Sequence, residues 1–147
     1  MIRIIIVNLF LTLILLSNSS IASKQSFFDD AKIYFEKKDY NQSKFLFQKF
    51  LVFNPKDHLS YLYLAKIYNK EENKSEEEKN LNTTLLLSPK NEEALFMLIE
   101  LQLEKSNFLK AKELNEKFLL VCSILCNKKL LIEKKIKDLD PKNISKQ

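Results

Sequence analysis

Glycine and tryptophan are absent from the chain, proline occurs three times, cysteine twice and histidine once. Each shortage excludes something. Without glycine the glycine-rich phosphate loops are excluded, and tight two-residue hairpin turns lose the residue that best tolerates φ > 0. Hairpin-rich β folds are disfavoured. The lone histidine, His58, stands beside Asp57 at an expected helix start and reads as an ordinary exposed side chain. The acids Glu76, Glu77 and Glu78 crowd another helix start, where carboxylates favour the helix dipole without catalytic purpose. No enzymatic activity, cofactor or metal is expected.

What remains is rich in Lys, Asn, Leu, Ile and Phe, and 46% hydrophobic and 29% charged residues in 147 suit one folded, all-α domain. The formal net charge is +5. The lysines are interspersed with glutamates rather than aligned in a stripe, which fits solvated helix faces and argues against a nucleic-acid surface.

Residues 1–22 have the form of a secretory signal. Arg3 precedes the apolar run from Ile4 to Leu16, polar Ser17 to Ser20 follow, and the small residues Ser20 and Ala22 place the expected cut before Ser23. The run is short for a bilayer span and is interrupted by Asn8 and Thr12. An exported, periplasmic protein with no membrane attachment after cleavage is the expectation. Retention of the leader would instead give an inner-membrane-anchored structural subunit of an envelope assembly.

Beyond the leader, Ser26 with Asp29 suggests a helix cap, with the helix reaching about Lys38 and a corner at Asp39-Tyr40-Asn41. Ser43, Leu46, Phe47 and Phe50 then mark one buried face before Asn54-Pro55. Asp57 caps a helix through Leu59, Leu62, Ala65 and Ile67 to about Glu71, followed by a corner at Asn73-Lys74. Ser75 with Glu78 suggests the next cap, ahead of Leu81, Leu85 and Leu86, and Ser88-Pro89 ends that helix. The third pair starts at Asn91, passes Ala94, Leu95, Leu98 and Leu101, turns at Ser106-Asn107 and continues through Ala111, Leu114 and Phe118.

Pro55 and Pro89 enclose one helix pair and so mark one period, and the stretch from Tyr40 to Phe53 recurs two such periods on as Phe108 to Val121. Lys44, Leu46, Lys49, Phe50 and Leu51 return as Lys112, Leu114, Lys117, Phe118 and Leu119. Recurrence over two periods indicates stacked units, none of which buries its apolar face alone.

The pattern resembles the tetratricopeptide repeat. Repeat two supplies Tyr61, Leu64, Ala65, Tyr68, Leu81 and Pro89 to it; repeat one supplies Phe27, Ala31, Tyr34, Tyr40, Ser43, Phe47 and Pro55. Repeat three offers Leu95, Leu98, Phe108 and Ala111, with Ser123 in place of the closing proline. Asp30 replaces an expected Leu, Glu77 stands where a small residue should close-pack, and Phe50 and Phe118 are larger than usual, which implies a somewhat irregular superhelix. The resemblance implies a right-handed all-α solenoid of three antiparallel helix pairs, at about residues 24–57, 58–91 and 92–123, in a domain spanning 23–139. A capping helix over 127–139, carrying Leu130, Leu131, Ile132, Ile136 and Leu139, would cover the exposed end, and 140–147 would be a frayed tail.

Cys122 and Cys126 are four residues apart, a poor fit to a disulfide inside a continuous helix. A bridge therefore requires the helix to end near Val121, and closing that corner would add about 2 kcal/mol. This is the expectation for an exported chain; two buried thiols, or a redox or metal role, are the alternatives.

The resemblance also implies a concave groove lined by the first helix of each pair. Repeat one would contribute Phe28, Lys32 and Phe35; repeat two Leu59, Leu62, Lys66, Asn69 and Lys70; repeat three Glu93, Phe96, Glu100, Leu103 and Glu104. Such a groove, with lysines at one end and glutamates at the other, implies a non-enzymatic envelope adaptor. Its protein partner would present an apolar face with opposite charges at its ends. The capping helix or a second copy of the chain, as a homo-oligomer, could fill part of it. Phe28, Tyr63, Glu93 and Met97 stand where the family's chaperone-tail binders carry a lysine and asparagine clamp, so that role is not implied.

Overall fold

The computed structural model describes residues 19–139, with side chains from Phe27 onward. The apolar leader run from Ile4 to Leu16 and the expected tail lie outside the described residues. Seven α-helices and one short 3₁₀ turn make up the described chain: α1 (Ser19–Glu36), α2 (Tyr40–Phe53), α3 (His58–Lys70), α4 (Lys74–Leu87), α5 (Glu92–Glu104), α6 (Phe108–Val121), the turn Cys126–Lys128, and α7 (Lys129–Leu139). They form two compact units, divided after Pro55.

The first unit is the hairpin of α1 and α2. Ser43, Leu46, Phe47 and Phe50 all turn inward, and the Ser43 hydroxyl donates to the Ala31 carbonyl across the helix pair at 2.8 Å. Phe28 lies against Phe47 and Phe50, with ring centroids 5.6 and 5.4 Å away. The helix starts earlier than its sequence suggests: α1 begins at Ser19, so Ser26 is an interior helix position and not the helix start. No glycine or proline stands between Ser19 and Ser26 to stop the helix from extending upstream.

The second unit holds α3 to α7 around one apolar cluster that includes Leu62, Ala65, Leu81, Leu95, Leu98, Ile99, Ala111, Leu114 and Phe118. Asp57 and Asn91 cap α3 and α5, accepting from the backbone N–H of Ser60 and Ala94. The cap of α4 is Asn73, whose Oδ1 accepts from Glu76 N at 3.2 Å, not Ser75 as expected. An equally good cap residue two positions upstream starts the helix earlier. Glu78 is thereby free to act elsewhere, accepting from buried Gln102 at 2.7 Å and pairing with Lys105, which ties α4 to α5. Gln102 in turn accepts from Asn107 across the α5–α6 corner.

The three corners repeat. Lys38, Glu72 and Ser106 hold φ of 62°, 56° and 58° at the same stride that separates Pro55 from Pro89, and Asp39, Asn73 and Asn107 follow each as the next helix's cap residue. At each corner an N–H reaches back to a carbonyl one helical turn and more upstream: Asp39 to Tyr34, Asn73 to Tyr68, Asn107 to Gln102. This is the hydrogen-bond closure of a helix that ends in a left-handed residue.

After α6 the chain turns sharply. A disulfide joins Cys122 to Cys126, with Cα atoms 5.2 Å apart. The corner leads into α7, which buries Ile132 and Ile136 in the cluster. Leu130 and Leu131, expected on the same face, are exposed because they fall outside the stripe set by the 132/136 pair, and Leu139, which lies on that stripe, is exposed at the last residue of the helix.

Candidate partner-binding groove

The residues assigned to the groove separate into three groups. Leu62 and Leu103 turn into the core and are 3% and 6% exposed, so they support the groove without facing it. In the first unit Phe28 is committed to the aromatic cluster and Phe35 packs against Tyr40 at 5.7 Å, while Lys32 is half-buried. The remainder, on α3 and α5 of the second unit, face outward.

There the expected charge poles largely satisfy themselves. Lys66 reaches Glu93 at 2.8 Å and lies over the Tyr63 ring at 4.8 Å. Lys74 meets Glu104 at 3.1 Å. Lys135, from α7, pairs with Glu100. The capping helix thus reaches the groove through one side chain. Leu59 and Lys70 are exposed on α3.

What α3, α4 and α5 leave open is a cavity of about 260 Å³ lined by Asn69, Glu77, Phe96, Met97, Glu100, Leu101 and Glu104. Four of these belong to the expected groove; Glu77, Met97 and Leu101 do not. Three carboxylates and three large apolar side chains line it, and no lysine is among its lining. One Glu100 oxygen is buried without a hydrogen-bond partner. The cavity therefore favours an apolar side chain accompanied by a positive charge or hydrogen-bond donors.

Glu77 explains how a carboxylate fits where the helix pair should close on a small residue. The close-packing positions of the three pairs hold Ala31 with Ser43, Ala65 with Glu77, and Ile99 with Ala111, all buried. The Glu77 carboxylate accepts from Asn69 on α3 at 3.1 Å, which satisfies one of its oxygens. Burial raises the Glu77 pKa and Glu104 adds to this, while the Asn69 hydrogen bond and Lys74 oppose it. A folded-state pKa above the unfolded one favours folding most at pH values below the unfolded pKa. That advantage is lost as pH rises through the folded value. Glu77→Gln, which keeps an oxygen for Asn69, is expected to be more stable than the parent at neutral pH. Its urea midpoint should vary less with pH between about 4 and 7. An unaltered slope would show that Glu77 does not carry the buried charge.

No family model matches the sequence, and no curated protein matches it. Solved structures do. The chain is similar to the first tetratricopeptide domain of Spaghetti (RPAP3) bound to an HSP90 peptide, with a TM-score of 0.70, 15% identity, and 79% of this chain and 94% of that one covered. It is equally similar to the Yersinia enterocolitica type III secretion chaperone SycD in complex with a peptide of the translocator YopD, with a TM-score of 0.70, 13% identity and coverage of 86% and 96%. The TPR2B domain of yeast Sti1, in complex with an Hsp70 peptide, gives 0.64 at 17% identity, with 84% and 98% covered.

Proposed function

We propose that this chain, which has the tetratricopeptide-like all-α helical-repeat fold, is a non-enzymatic adaptor that binds a segment of another protein in the groove of its second unit. The observation that carries this reading is the α3–α5 cavity, where Phe96, Met97 and Leu101 supply apolar surface and Glu77, Glu100 and Glu104 supply carboxylates, the last two shared with Lys135 and Lys74 from outside the lining. Neighbours of the same fold that hold peptides support it. The segment bound is one with a large apolar side chain next to Lys or Arg, buried for affinity and oriented by charge. The reading puts the adaptor in the cell envelope, exported by residues 1–22 and cleaved before Ser23, with the Cys122–Cys126 bridge kept in an oxidising compartment.

Panning a random peptide library on the full-length protein tests the binding mode. Sequences with Lys or Arg within two positions of Phe, Leu, Ile or Met should be enriched, and Phe96→Ala should weaken the selected peptides by about tenfold or more. No enrichment, or equal affinity for Phe96→Ala, would refute it. The mass of the protein recovered from cells tests export: an N-terminus at Ser23 is expected, and a retained leader would replace the soluble adaptor with a membrane-anchored subunit.

A further inference from the structure

The corner between α6 and α7 is built around one carboxylate that plays no part in the groove. Glu92, in the first turn of α5, accepts from the backbone N–H groups of Ser123, Ile124 and Leu125 at 2.8, 3.1 and 3.1 Å, and from the Ser123 hydroxyl at 3.3 Å. Three successive N–H groups converge on one anion only if the backbone curls, and the Cys122–Cys126 bridge spans this same stretch. The bridge fixes the curl, and the curl holds Glu92.

What depends on this clasp is α7. It follows the corner directly, buries only Ile132 and Ile136, and leaves Leu130 76% exposed. Its own burial is small for a helix. Between the two isoleucines, Lys135 pairs with Glu100, which lines the groove cavity.

We propose that the Cys122–Cys126 bridge and Glu92 form a redox-released latch, which holds α7 in place and so keeps Lys135 on Glu100. A dithiol reductant opens it by thiol–disulfide exchange. One of its thiolates attacks a sulfur of the pair, exposed Cys126 being the accessible one, and its second thiolate resolves the mixed disulfide. The reductant leaves as a disulfide, having given two electrons and two protons, and Cys122 and Cys126 become thiols. With the ring open the three N–H groups no longer converge on Glu92, α7 detaches more often, and Glu100 loses its lysine. The latch does not depend on what the groove binds. Its consequence, a more negative cavity, rests on the peptide-binding reading above.

Hydrogen exchange of the full-length chain, oxidised and then reduced with dithiothreitol, tests the latch without any partner. Reduction should speed exchange of the α7 amides on the order of 30-fold, the loop-closure value for so short a ring, with α3 and α4 unchanged. Acetylation of Lys135 by an N-hydroxysuccinimide ester should speed up in parallel. Joint substitution of Cys122→Ser and Cys126→Ser should reproduce both effects without reductant, and Glu92→Gln should raise α7 exchange while the bridge is intact. Unchanged α7 exchange on reduction would overturn the proposal. So would equal acceleration in every helix, which would make the bridge a general staple. If α7 loosens but no peptide binds, the latch stands and the groove reading falls.

Discussion

Phe118→Ala should cost about 3–5 kcal/mol, a large share of the stability of a domain this size. Phe118 is 0% exposed and belongs to the cluster that also holds Leu98, Leu114, Ile132 and Ile136, so its removal leaves a cavity between repeat three and the capping helix. Leu120, on the same helix, is 86% exposed. Leu120→Ala is therefore expected to change stability by less than about 0.5 kcal/mol. The comparison uses urea midpoints at constant m. If the two variants fall within about 1 kcal/mol of each other, the inward packing of α6 is wrong.

A loss of similar size, about 3–5 kcal/mol, is expected for Phe47→Ala in the first unit. Phe47 is 0% exposed and meets the edge of Phe28 at an interplanar angle of 73°. Its removal forfeits an aromatic contact worth about 0.5–1.5 kcal/mol in addition to the buried area. Hydrogen exchange should locate the loss in the amides of α1 and α2. Phe45→Ala, at a position 55% exposed on the same helix, serves as the control. Retained protection of α1 and α2 in Phe47→Ala would contradict the hairpin core.

The inward faces were legible because burial leaves a periodic trace. Ser43, Leu46, Phe47 and Phe50 on α2, and Ala111, Leu114 and Phe118 on α6, can be read from spacing alone, and all are buried. The corners left less trace. Their left-handed residues are Lys38, Glu72 and Ser106, none of them a glycine, so the left-handed positions themselves carry no compositional marker and only the Asp or Asn after each recurs. Helix starts were misplaced at Ser26 and Ser75 because a serine is a common cap only where the helix does not already run past it. The lining of the cavity was legible in part. Spacing puts Asn69, Phe96, Glu100 and Glu104 on one side, and the cavity brings them together. It could not show that Glu77 would be buried, since that depends on its hydrogen bond from Asn69 across the helix pair. Nor could it show that Leu62 and Leu103 would turn inward, because both an exposed and a buried leucine fit the same helical stripe.

The reading of the groove can be decided at a single side chain. Met97 is the only methionine besides Met1, and it lines the cavity beside Phe96 and Leu101. With the methionine methyl group labelled with ¹³C, titration of the full-length protein with a peptide selected on it should shift or broaden the Met97 methyl resonance in step with binding. A peptide that binds while the Met97 signal stays in place would contradict the account, because its site would then lie elsewhere on the chain.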